Sequence, residues 1–483
     1  MLFNSLEFLL FFPVVVALYF VLPPRWRWLH LLLASYGFYM AWEPAYALLI
    51  LASTAVDYTV ALRMPTASSG VRRGLLGLSL VMNLGLLFSF KYYNLINGTF
   101  VALAASAGID WPLPESNLLL PVGISFYTFQ TLGYTIDVYR GQLAPERHFG
   151  HFALYVSYFP QLVAGPIERA GRLLPQLHAT HAFDLPRVVS GLRQMLWGMF
   201  KKVVVADRLA HLVDVVYAHP EEATGPVVVL STICFGYQVY CDFSGYSDIA
   251  IGAARVMGVD LMRNFDQPHI ARSTNEFWTR WHISLITWFR DYVYIPLGGS
   301  RGSAFARYRN IAVVFLLSGL WHGAAYTFAI WGLLNAVLIT VGDLTKPARE
   351  QLAVATGFVA WPRTRRVWQT VSAVALVYST FIFFRAPDLA VASTMYGAVG
   401  SGWELLLDTA WLEGWQARLG WDLGLIVVAL AMVPCTELLE HRFRHRDPTT
   451  VPRSVQWMED WLLIVGTLLL GTFTREAFVY FQF

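Results

Sequence analysis

What most constrains this chain is a succession of long apolar stretches separated by short polar or proline-containing breaks. Leu6–Leu22, Leu29–Tyr39, Tyr46–Leu62 and Leu75–Phe90 come first, with Trp42-Glu43-Pro44 as a tight turn between the second and third. A helix needs about 20 apolar residues to cross the hydrocarbon core of a bilayer. Stretches of this kind recur to the end of the chain, more than a soluble core can bury. Composition agrees: of 483 residues only 14% are charged and 56% are hydrophobic, with a mean hydropathy of +0.49. The expected class is an all-α, polytopic integral membrane protein, one transmembrane domain over residues 1–483 with roughly 11–13 transmembrane or re-entrant helices. The same figures exclude intrinsic disorder and a basic nucleic-acid binder, which would carry a clustered charge excess; the net charge is only +3. Cys234, Cys241 and Cys435 form no CxxC pair and no disulfide framework.

The first apolar run is preceded by no Lys or Arg and followed by Pro23, Pro24 and Arg25 rather than a small-residue cleavage site, so it is expected to be a retained span. Basic residues in short loops set orientation. Arg25 and Arg27 after the first span, and Arg63, Arg72 and Arg73 after the third, place those loops in the cytoplasm and Met1 outside. The most basic stretch, His441 to Arg446, lies between Leu425–Leu439 and Trp461–Leu470 and sends Phe483 outside as well. Between these ends lie Leu118–Thr135, Phe152–Ala164, Val189–Val205, Val227–Tyr240, Ile311–Leu320, Phe328–Val341 and Thr370–Phe384. Several are short or broken, as at Pro121-Val122-Gly123 and Ala164-Gly165-Pro166. Irregular backbone at membrane depth is tolerated only where protein or a water-filled cavity covers it, which predicts a core of broken helices. Leu344–Arg366 reads as a polar connection, and Trp403, Trp411, Trp415 and Trp421 suit interfacial helices.

Ionisable residues within such a chain are the informative ones, because each is costly to bury. The densest block runs from Asp260 to Arg309, where seven arginines face four acidic residues. It contains Asn275 to His282 and Trp288 to Tyr292, alternating aromatics with charges. An amphipathic interfacial helix with snorkelling arginines accounts for this pattern; an arginine cluster also suits phosphates, which guanidinium forks bind bidentately. Arg280, Trp281, Arg290 and Trp321 are the donor-binding candidates. A second feature is His322, in Ser318-Gly319-Leu320-Trp321-His322-Gly323-Ala324, with no charged residue from Ile311 to Val341. Glycines on both sides leave room for a ligand to approach the imidazole, and desolvation would keep it neutral and able to accept a proton. A satisfied core histidine is the plainer reading from position alone. No HExxH or other metal-ligand set accompanies it. In a third stretch, Tyr237 to Asp248, Asp242 and Asp248 interrupt an apolar region. Helix capping by Asp242 or Ser244 before Ile249–Val256 is the simple explanation, and a pore-lining or substrate-facing role is the alternative.

These motifs carry a resemblance. Pro121 to Gln130, Phe159 to Ile167, Asp242 to Gly252, Phe277 to His282, Tyr294 to Gly299, Trp321-His322-Gly323 and the terminal Tyr480-Phe481-Gln482-Phe483 occur in an order that resembles the membrane-bound O-acyltransferase family, in its bacterial alginate O-acetyltransferase-like branch. The resemblance implies a membrane body around a tunnel and acyl transfer from a thioester to a hydroxyl, with His322 essential and His282 as its upstream polar partner. It implies acetyl-CoA as the donor substrate with no bound cofactor, an extracytoplasmic polysaccharide as acceptor, periplasmic or membrane-anchored acetyltransferase partners, and the bacterial cytoplasmic membrane as location. Acyl transfer needs a base near pH 7, for which His is suited. Peptidoglycan O-acetylation and D-alanyl transfer from a carrier protein are the enzymatic alternatives. A lipid-linked sugar transporter is the alternative of another class, and the absence of an internal repeat speaks against it.

Overall fold

The computed structural model describes residues 1–420, 422–432, 452–473 and 478. Cys435, Trp421, the basic loop 441–446 and the terminal motif 480–483 lie outside the described residues. Among the described residues all regular structure is helical. Five helical stretches are long and apolar enough to cross a membrane: Tyr46–Thr66, Ser69–Ser106, Gly225–Val256, Tyr326–Leu344 and Pro362–Arg385. Leu6–Val21, Leu389–Ala398 and Asp422–Met432 are shorter apolar helices. The chain is thus a multi-pass, all-α membrane protein. The other apolar runs are cut by Gly, Pro and π turns or begin with arginines, so they do not reach the length and composition of an uninterrupted span.

The chain divides into two compact units, one of residues 1–195 with 249–262 and the other of residues 196–248 with the described residues from 263 onward. In the first, α1 (Leu6–Val21) starts where the Ser5 hydroxyl accepts the Phe8 N–H at 3.2 Å, capping an otherwise orphaned donor. Pro24 opens α2 (Pro24–Met40), where its missing N–H is harmless. α3 (Tyr46–Arg63) and α4 (Ser69–Leu87) follow, and a π turn at Phe88–Tyr92 leads into α5 (Tyr93–Ser106). The break foreseen at 121–123 is present: Gly123 has φ +78°, and α6 (Ile124–Arg140) begins after it. α7 (Phe149–Ser157) and α8 (Phe159–Leu162) end before the second foreseen break, and α9 (Ala170–His178) is short. Leu10, Val14 and Val81 point outward, an apolar surface that only lipid covers favourably.

A buried polar hub joins α3, α4 and α6. Asp57 accepts from Ser79 Oγ (2.5 Å) and from Asn83 Nδ2 (2.9 and 3.1 Å). Asn83 Oδ1 in turn accepts from Ser53 (2.8 Å) and Thr131 (3.2 Å). Every member is at most 1% exposed, and each bond satisfies a group that would otherwise be stranded away from water.

α10 (Leu185–Phe200) carries the chain into the second unit, where a π turn at Lys201–Ala206 precedes α11 (Asp207–Ala218). α12 (Gly225–Val256) is a single 32-residue helix. Asp242 and Ser244 therefore cap nothing, contrary to the simple expectation. They meet the π turn instead. Lys201 Nζ donates to Ser244 Oγ at 2.9 Å and pairs with Asp248 at 2.6 Å; Lys202 pairs with Asp207 at 2.7 Å and Asp242 at 2.8 Å. Opposite charges at this distance offset the desolvation that each alone would suffer. Short elements follow, α13 (Thr274–Arg280) and α14 (Ile283–Phe289), then α15 (Ala304–His322), α16 (Tyr326–Leu344), α17 (Lys346–Ala355) and α18 (Pro362–Arg385).

Candidate active site

His282 and His322, 40 positions apart in sequence, come together in the second unit with ring centroids 6.2 Å apart. Each is placed by a helix end. His322 is the last residue of α15. His282 sits between α13 and α14 with φ +46° and ψ +52°, a left-handed conformation outside the usual range of a side chain with a Cβ. α13 is set by its own cap, since Ser273 Oγ accepts the Glu276 N–H at 3.1 Å, and the chain is closed behind it by Asp266 N–H donating to Arg280 O at 2.9 Å.

The rings around the pair are aromatic. Trp321 lies 5.6 Å from His282 and 4.9 Å from His322. Phe243 meets His282 edge-on at 4.6 Å, while Trp331 (5.3 Å) and Phe384 (5.2 Å) do so for His322. Both histidines are buried. Burial pushes the His282 pKa down to about 3, because a low-dielectric surround disfavours the imidazolium; the ring is neutral at physiological pH and carries one N–H. Trp331 Nε1 is also buried and has no hydrogen-bond partner among the described residues, an unspent donor beside His322. A frame of this kind holds two buried imidazoles side by side among aromatic rings, and an imidazole is a group suited to deprotonating a hydroxyl.

The glycines beside His322 do not provide ligand space. A Cβ at Gly319 would overlap the Phe328 carbonyl, and one at Gly323 would enter the Phe328 ring. Their small size serves the close approach of α15 to α16, and the sequence expectation of an open flank is corrected accordingly.

Of the donor-binding candidates, Trp321 joins the histidine pair. Trp281 is buried in an aromatic stack on Phe277 (5.3 Å) rather than facing the pair. Arg280 is tied to Glu276 at 3.0 Å and to the Asp266 carbonyl at 3.0 Å, and Arg290 to Asp291 at 2.7 Å with its side chain 58% exposed. Arg263 and Arg307 also have carboxylate partners. Arg272 and Arg301 are exposed and, among the described residues, make no ion pair. Sequence reading did not pick out Asn264 and Ser284, which bond to each other at 2.6 Å next to His282 in the chain fold, with the Asn264 carbonyl accepting the Ile283 N–H at 2.8 Å. Neutral polar residues in a mixed segment give no signal of their own.

The membrane-bound O-acyltransferase family model matches residues 146–384, a span containing both histidines. The probable alginate O-acetylase AlgI of Azotobacter vinelandii is 42% identical over 407 residues, covering 83% of this chain and 78% of that protein. The probable alginate O-acetylase AlgI of Pseudomonas putida is 38% identical over 514 residues, with all of both chains covered. The peptidoglycan O-acetyltransferase of Helicobacter pylori is 30% identical over 530 residues, covering all of this chain and 98% of that one. With the paired histidines in place and similarity running the full length, the chain belongs to the membrane-bound O-acyltransferase family and is an O-acyltransferase.

Proposed function

We propose that this protein moves an acetyl group from acetyl-CoA on the cytoplasmic side to hydroxyls of an extracytoplasmic, alginate-like polysaccharide. The observation that carries the reading is the pair of buried imidazoles 6.2 Å apart in an aromatic frame, in a chain similar over most of its length to alginate O-acetylases. His322 is the general base. It takes the acceptor hydroxyl proton as the oxygen attacks the thioester carbonyl carbon, the C–S bond breaks, and the proton passes to the departing thiolate. Neutral His282 donates its one N–H to the thioester carbonyl and positions it, and the Trp331 N–H is a second donor for that oxygen. The buried aromatic surround of the two histidines limits wasteful thioester hydrolysis. On the cytoplasmic face, exposed Arg272 and Arg301, together with Arg290, supply guanidinium groups for the phosphates of coenzyme A. The enzyme works in the bacterial cytoplasmic membrane with both termini outside, together with periplasmic or membrane-anchored acetyltransferase partners that complete delivery to the polymer.

Radiolabelled acetyl-CoA, purified full-length protein and two acceptors, alginate-type oligosaccharides and peptidoglycan fragments, test the reading. Label should enter the oligosaccharide and require His322. The donor should bind more tightly than acetyl-pantetheine, the difference shrinking as salt rises. Label entering peptidoglycan alone would move the acceptor to the second class, and equal donor affinities would remove the phosphate contacts.

A further inference from the structure

Asn264 is 1% exposed, and three of its polar atoms are engaged. Its Nδ2 donates to Ser247 Oγ at 3.1 Å, its Oδ1 accepts from Ser284 Oγ at 2.6 Å, and its backbone carbonyl accepts the Ile283 N–H at 2.8 Å. These bonds fasten three separate stretches: α12, the loop that follows it, and the first turn of α14. The Ile283 N–H belongs to the helix-start donors that no intrahelical carbonyl can satisfy. Its acceptor is thus supplied from outside the helix, at the peptide that joins Ile283 to His282.

His282 is the residue whose backbone needs holding. Its left-handed conformation is disfavoured for a residue with a Cβ and persists only where the surroundings over-determine it. The Asn264 carbonyl holds the peptide after it, and Ser284 and Ser247 grip the Asn264 side-chain amide and so keep that carbonyl in place. Ser247 is fixed on α12 next to Asp248, which pairs with buried Lys201. Without these bonds His282 can relax to an ordinary backbone conformation, which would swing its ring away from Phe243 and Trp321.

We infer that Asn264 is a positioning residue for acyl transfer, acting through His282 with Ser247 and Ser284 as its anchors. The inference rests on the reading of His282 given above. It also gives Ser247, in the Tyr237–Asp248 stretch, a part in bracing the support of the second histidine.

Acetyl transfer by the full-length protein in membranes tests it with Asn264→Ala, Ser284→Ala, Ser284→Thr, His282→Asn and the double variant Asn264→Ala/His282→Asn. Asn264→Ala should lower kcat by about 10–100-fold, the scale expected for misplacing a catalytic group by about 1 Å, with KM for acetyl-CoA nearly unchanged. Ser284→Ala should lower kcat, and Ser284→Thr, which restores the hydroxyl, should recover much of the loss. The double variant should be no slower than His282→Asn alone, since both substitutions remove one device. Additive losses, or wild-type kcat in Asn264→Ala, overturn the positioning role alone. A wild-type rate in His282→Asn overturns the reading of His282 beneath it. Should Asn264→Ala fail to insert, the Ser284 pair carries the same test, with equal rates in Ser284→Ala and wild type counting against the inference.

Discussion

Two buried asparagines, Asn83 in the first unit and Asn264 in the second, use their side chains in nearly the same way. Each donates through Nδ2 and accepts through Oδ1 from serine or threonine hydroxyls. What they hold differs. Asn83 lies mid-helix on α4, and its side-chain network ties α4 to α3 and α6 and so fixes how the three pack. Asn264 lies where the backbone is broken, and its carbonyl fills a helix-start vacancy beside a left-handed histidine. The same neutral chemistry therefore serves packing in one region and reactive-group geometry in the other. Helix starts leave orphaned backbone donors, and satisfying them from outside lets the protein aim side chains in ways a regular helix does not allow.

The sharpest test of that division is the loss of the base proposed at His322. His322→Ala should lower acetyl transfer by about 10²–10⁴-fold while donor binding persists. His282→Asn, which keeps a hydrogen-bond donor, should leave measurable turnover. Rates on folded, membrane-inserted protein decide it: an active His322→Ala beside a dead His282→Asn would reverse the two roles. No substitution in the Asp57 hub should approach this effect on turnover per folded molecule.

How far each region could be read in advance follows from the same contrast. The first and third spans were foreseen to within a few residues, Leu6–Leu22 against Leu6–Val21 and Tyr46–Leu62 against Tyr46–Arg63, because unbroken hydropathy decides them locally; Leu75–Phe90 instead falls inside a longer helical stretch, Ser69–Ser106. The breaks at Gly123 and after Leu162 were visible in Gly and Pro. His322 stood out because it is isolated in an apolar run. Lys201 and Lys202 were not singled out, and Asp242 was taken for a cap, because only their pairing across helices shows how an unbroken α12 tolerates the charge. Asn264, Ser284, Asp57 and Asn83 gave no sequence signal, since hydrogen-bond partners chosen across helices leave no local periodicity.

Charge is where the second unit departs most from the first. Lys201 is fully buried against Asp248 and Ser244. Removing one partner of a buried pair strands the other, at about 3–5 kcal/mol. Lys201→Met should therefore cause a large drop in the apparent melting temperature of the purified protein. Replacing both partners, as Lys201→Met with Asp248→Leu, should be milder than the single change, because no lone charge remains. A double variant less stable than Lys201→Met would mean that the pair stabilises α12 by more than mutual neutralisation.

The smallest expected effect belongs to the first unit. Asp57→Ala removes the acceptor of the Ser79 hydroxyl and the Asn83 amide, all of them buried. Leaving buried donors without partners costs about 1–3 kcal/mol. Asp57→Asn keeps the shape and one acceptor oxygen, so its melting temperature should fall less than that of the alanine variant. If the hub serves packing alone, kcat per folded molecule stays at the wild-type value in both, and the deficit appears only in thermal stability and in yield. Loss of turnover at an unchanged melting temperature would break the division drawn here. It would make the Asp57 hub part of the reaction rather than of the frame, since a hub that only orders α3, α4 and α6 has no means of slowing chemistry without also loosening the helices it joins.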